Sequence, residues 1–171
     1  MKNIFYIVVL VVAFTSCQKQ AKIGFVDNGT LINDYQKKKD LEAKFQIKEQ
    51  NFRKRFDSID NAFQVEVQKF QTEANKMGQA KAQEKYQQLG QQKQINDQQK
   101  QVEAQQFQQE FQTEIDTLIV AVKKFVKDYG KKNGYTYILG TSDAAATVLY
   151  GTEENDLTKT ILEALNSEAK K

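Results

Sequence analysis

The sequence predicts an α+β protein: a small β body with one strand before and two strands after a long antiparallel α-helical coiled-coil hairpin, closed by a short C-terminal helix. Three observations carry this. The stretch from Thr30 to Lys132 is polar, and the whole chain contains no proline, which would cost about 3 kcal/mol inside a helix. Apolar residues return through that stretch at seven-residue spacing, with Phe45, Phe52 and Ile59 in one row and Phe56, Phe63, Phe70 and Met77 in the other. Short segments of alternating apolar and polar residues flank it on both sides. A stripe this narrow cannot build a globular core. It is buried only against another helix, so the chain reads as an arm and not as a pocket.

Taken in order, residues 1–16 read as a signal peptide. Lys2 supplies a positive start, and the apolar run Ile4–Ala13 is far shorter than the roughly 20 residues a membrane span needs. Phe14-Thr15-Ser16-Cys17 then resembles a bacterial lipoprotein cleavage box, although Phe14 stands where Leu is usual. On that reading Cys17 becomes the lipidated first residue and 17–21 a tether. The other reading is an ordinary secretory signal with an incidental Cys. Either one places the chain in the bacterial envelope. Cys17 is the only cysteine, so no disulfide staples the fold.

Residues 22–29 and 133–171 form the predicted β body. Lys22–Asp27 reads as a strand with Ile23 and Phe25 on one face, and Thr30 or Asn28 caps the following helix. The arms occupy 30–132. Gly78, near the midpoint, is the expected turn. Two arms of about 48 residues would each reach roughly 70 Å. The returning stripe is read through Tyr86, Leu89, Ile95, Val102, Phe107, Phe111, Ile115, Leu118, Val122, Phe125 and Tyr129. It is dense toward the body and thin in the Gln-rich part between Gly90 and Gln106, so the outer half is expected to be loosely held. Gly130 to Gly134 reads as the helix stop. Tyr135–Leu139 and Thr147–Tyr150 read as a β-hairpin around the turn Gly140–Ala144, and Asp156 as a helix cap accepting from the N–H of Thr158 or Lys159.

Composition excludes several classes of function. There is no His, hence neither the commonest general base nor the commonest metal ligand. No phosphate-binding glycine loop is present, Ser142-Asp143 has no His to act with, and Glu153-Glu154 are solvated residues ahead of a cap. No catalytic residue, cofactor or metal is predicted. The net charge of +3 is too small and too diffuse to argue for nucleic acid. Lys37–Lys39 and Arg53–Arg55 read as solvated helix faces, with attraction to an acidic partner or to lipid headgroups as the alternative. A body of three strands and one short helix buries too little to hold such arms open alone. The strands are therefore expected to join copies of the chain through Ile23, Phe25, Ile138, Leu139, Val148 and Tyr150.

Two places resemble the OmpH/Skp family of periplasmic chaperones. The first is Lys22-Ile23-Gly24-Phe25-Val26-Asp27 followed by Leu31-Ile32-Asn33-Asp34-Tyr35, with Gln36 where the family has Pro. The second is Tyr137-Ile138-Leu139, Val148-Leu149-Tyr150 and Asp156-Leu157-Thr158 leading to Ile161 and Leu165-Asn166. The resemblance implies a homotrimer whose helical hairpins enclose a cavity. It implies an ATP-independent holdase for unfolded outer-membrane β-barrel proteins, with no enzymatic activity. The lipid anchor at Cys17 and the modest charge set this chain apart from soluble, strongly basic relatives. The alternative from another class is a lipid-anchored coiled-coil spacer or envelope-complex adaptor.

Overall fold

A computed structural model describes residues 20–142 and 145–169. The elements follow as β1 (Ile23–Asp27), α1 (Asn28–Asn33), α2 (Gln36–Glu73), α3 (Gln79–Lys132), β2 (Tyr137–Thr141) and α4 (Thr158–Glu168). The segment expected to be a signal peptide and Cys17 lie outside the described residues, as do Asp143 and Ala144.

The first helical turn is capped by Asp27, whose Oδ1 accepts from the Thr30 N–H at 2.5 Å. The cap therefore lies one residue before Asn28, and Thr30 is its donor. The first arm is also not continuous from Thr30. Tyr35 is buried and takes an extended backbone, and the helix restarts at Gln36. The Gln36 N–H, which has no partner of its own inside α2, donates to Asn166 Oδ1 of α4 at 2.8 Å. α2 then runs 38 residues and α3 54 residues, about 57 and 81 Å. They are joined by a single tight turn at Ala74–Lys76 and by Gly78, which precedes the first residue of α3. The arms are thus unequal, because α3 passes beyond the start of α2 before reaching the β body. It runs through Gly90 and Gly130 without a break, and only Gly134, at φ +69°, ends the descent. Gly130 is buried where Ile138 packs onto it, and a Cβ there would come within 3.1 Å of Ile138 Cδ1, so that side chain would have to yield slightly.

The sheet among the described residues has two strands, β1 and β2, parallel, with Ile23 opposite Tyr137 and Asp27 opposite Thr141. The strand expected at Tyr135–Leu139 is shifted two residues toward the C-terminus. The strand expected at Thr147–Tyr150 does not form. After Thr141 the chain must cross to the far edge of β1, where Phe25 bridges Asp156 and its carbonyl accepts from the Leu157 N–H at 2.8 Å. On the way Gly151 passes so close to the Phe25 ring that a Cβ there would collide with it. A segment committed to this crossing cannot also fold back along β2, so no β-hairpin results.

One core joins the root of the hairpin to the body: Val26, Leu31, Tyr35, Leu118, Val122, Leu157, Ile161 and Leu165. Gly24 is needed beneath it, since a Cβ would strike Leu157.

Candidate functional site

The arms meet along a seam. Phe45 and Phe56 are buried on α2, with Phe52, Ile59, Phe63 and Phe70 half-buried in the same stripe. Near the body the seam is aromatic: Phe45 meets Phe107 and Phe111 edge-on, at 5.3 and 5.0 Å between ring centroids. Ion pairs follow the same register. Lys44–Glu114, Lys48–Glu110 and Arg55–Glu103 step forward on α2 and back on α3 by equal amounts. Lys48 Nζ donates to Glu110 Oε1 at 2.5 Å, and this bond holds the Glu110 carboxyl below its usual pKa. The even step is lost at Asp60–Lys100, five residues on along α2 but only three back along α3 from Arg55–Glu103, and the next pair is Glu66–Lys85.

Leu89 and Phe107 lie five turns apart and both face α2, which fixes the phase of α3 between them. The positions in that interval turned toward the seam are Asn96, Lys100, Glu103 and Ala104, all partly buried. Tyr86, Ile95 and Val102, expected in the stripe, are not part of it. Ile95 and Val102 are 57% and 43% exposed on the opposite face, which Val120 shares. On α2, Ile47 and Val65 are exposed five turns apart, on the side away from the Phe row. These back-facing residues carry no signal of their own in the sequence. Only their phase against the Phe stripe identifies them.

The outer face of the sheet is apolar as well. Ile23, Leu139 and Tyr137 are exposed there and Phe25 is half-covered, while Ile138 points inward onto Gly130 and the core. Next to them Leu149 and Tyr150 are 91% and 86% exposed, and Val148 is partly buried. Asp156 Oδ1 accepts from the Thr158 N–H at 2.9 Å and from its hydroxyl at 2.5 Å. That hydroxyl in turn accepts from the Asp27 N–H, tying α4 to β1.

The two basic runs are largely spoken for. Lys38 pairs with Glu42, Lys39 with Asp34, Arg53 with Glu49 and Arg55 with Glu103. Among the described residues no cluster of three or more His, Cys, Asp or Glu is placed to hold a metal, and no helix is long and apolar enough to cross a membrane.

Long paired arms on a small body, with apolar side chains left open on both, define a class: a coiled-coil hairpin standing on a two-stranded β base. The match is specific. The model of the family described as outer membrane protein (OmpH-like) covers residues 22–165, and the chain belongs to that family. The fold also matches a solved structure from Caulobacter crescentus, described as an OmpH-like outer membrane chaperone, with a TM-score of 0.77 at 10% identity, over 87% of this chain and 86% of that one. None of the curated proteins compared with the chain matches it in sequence.

Proposed function

We propose that this protein is an ATP-independent holdase of the bacterial periplasm. In this reading, three copies join through their β bodies, and the hairpins enclose a cavity that receives unfolded outer-membrane β-barrel proteins. Lipidation at Cys17 holds the assembly on a membrane of the envelope.

The observation that carries this reading is the set of apolar residues left open at the back of the arms: Ile47 and Val65 on α2, and Ile95, Val102 and Val120 on α3. They are isolated, spread along the arms and separated by polar helix. An unfolded chain would meet many weak contacts whose sum is strong while each stays exchangeable, and release needs no nucleotide. A spacer requires the seam but not these residues. The joining of copies is supported by Leu149 and Tyr150, whose exposure in one chain is far above what an apolar segment of a stable body shows.

The test is to dilute a urea-unfolded outer-membrane β-barrel protein into residues 18–171 without ATP and follow light scattering. Suppression near one trimer per client is expected, and Ile95→Ser with Val102→Ser should weaken it severalfold while the far-UV circular dichroism stays helical. Scattering that does not respond to the protein would return the spacer reading. Leu149→Asp with Tyr150→Asp should convert the assembly to monomers in sedimentation velocity.

A further inference from the structure

The Gln-rich part of α3 contains a second row. Starting at Gln87 and stepping alternately four and three residues, the next seven positions, ending at Gln112, are all glutamine, and every one of them is exposed. The spacing is the heptad of the seam itself, so the row keeps a constant phase along the arm, turned away from α2. It also interlocks with the back-facing apolar residues: Gln91, Ile95, Gln98, Val102 and Gln105 follow one another at the same steps of four and three.

Among the described residues, only Gln112 of this row has a side-chain partner, Asp116 at 2.8 Å. Glutamines off the row behave differently: Gln88, Gln92 and Gln99 donate to Glu84, Asn96 and Glu103 within the helix. The row holds no charge, although charged residues are 27% of the chain. The charged residues between its ends, Lys93, Asp97, Lys100, Glu103 and Glu110, are all taken up in ion pairs. The row therefore presents free amides beside aliphatic side chains, and no charge for a phosphate or an acidic partner to meet.

We propose that the row hydrogen-bonds the backbone of one extended strand of an unfolded β-barrel protein, whose apolar side chains rest on Ile95 and Val102. The proposal deepens the holdase reading and rests on it. A glutamine amide carries both a donor and an acceptor, the same pair that each residue of an unpaired strand exposes. Recognition is then independent of the client's sequence and charge, and each bond is modest enough to exchange. Length agrees as well. From Gln87 to Gln112 the row spans about 37 Å of helix. An extended chain of about eleven residues covers that distance, and a transmembrane β-strand has roughly 9–11. In such a strand apolar and polar side chains alternate, so one face of it is apolar throughout and can meet Ile95 and Val102.

The experiment gives residues 18–171, which contain every described residue, two readouts. One is suppression of client scattering, as above. The other is fluorescence anisotropy of a labelled peptide of about eleven residues that alternates valine and threonine. Gln91→Ala, Gln98→Ala and Gln105→Ala together should weaken peptide binding about tenfold, while the matched Gln88→Ala, Gln92→Ala and Gln99→Ala should stay within about twofold of the parent. Alanine keeps the helix in both variants. The same peptide methylated at every second backbone nitrogen should lose binding to the parent to a similar extent. Equal loss in the two variants, unchanged binding in the first, or undiminished binding of the methylated peptide would each overturn the proposal. So would a row variant that loses only a self-association in sedimentation velocity, since the row would then face a second copy. A parent that fails to suppress scattering would overturn the holdase reading and this proposal together. A parent that suppresses it no better than its row variant would overturn this proposal alone.

Discussion

The two halves of the hairpin are held by different chemistry. Between the body and Phe56 the seam is built from rings: Phe45 against Phe107 and Phe111, then Phe52 against Phe56 at 4.7 Å, with ion pairs at even steps outside them. Beyond Phe56, α2 still offers Ile59, Phe63 and Phe70, but α3 answers with Asn96, Lys100 and a single fully covered residue, Leu89. The apolar residues that α3 does possess there, Ile95 and Val102, face away. The same helix thus withholds apolar surface from its own seam and presents it outward. With a packed root and a weak outer seam, the tips should open at lower cost than the root.

The sharpest way to break this contrast is at its boundary. Phe56→Ala removes the largest fully buried side chain of the seam and should destabilise the protein by about 3–5 kcal/mol, read from urea unfolding. A loss under about 1 kcal/mol would mean the arms are not held there at all. Next, Ile161→Ala in the root core should cost about 2–5 kcal/mol, whereas Leu89→Ala near the tip should fall at or below the lower end of that range. Hydrogen exchange should show the second change confined to the outer arms. Equal and global effects would erase the distinction between halves. Filling the weak half comes third: Asn96→Leu exchanges a half-buried amide for an apolar side chain in the seam and should stabilise by about 1 kcal/mol while slowing exchange at the tip.

The smallest effect is electrostatic. Lys48 lowers the Glu110 pKa in the folded state below its ordinary 4.5, so this pair's contribution is present at neutral pH and is lost as pH falls from about 4.5 through the lowered value. Glu110→Gln should remove that acid-dependent part. Because the pair is exposed, 0.5 M salt should diminish it as well.

The first arm was legible in the sequence because seven phenylalanine, isoleucine and methionine positions agree on one phase. The returning arm was legible only where its apolar residues are dense, from Phe107 to Tyr129. Through the Gln-rich part, Ile95 and Val102 gave no phase of their own, and connecting them by spacing alone put them on the wrong side, while Tyr86, nearer the tip, is simply left exposed. Thr147–Tyr150 has the composition of a strand, but whether it pairs depends on where Asp156 must dock, which no local pattern records. The helix cap is Asp27 and not Asn28 or Thr30, because Asp27 ends a strand and starts a helix at once. Ile47 and Val65 could not be told from scattered surface residues until the Phe row supplied a reference direction.

Lys22 and Asn133 touch although 111 residues separate them, and β1 has no neighbour until β2 and Asp156 arrive. A chain delivered from its N-terminus therefore carries its first strand unpaired while both arms follow. Closing a loop of that length is a slow step for a flexible chain. The arms change the problem: once they zip from the turn at Gly78 back to the Phe45 cluster, the two ends stand side by side, and strand pairing becomes a local event. The hairpin is thus the assembly jig of its own base, and the order of synthesis makes the β body the last part to set.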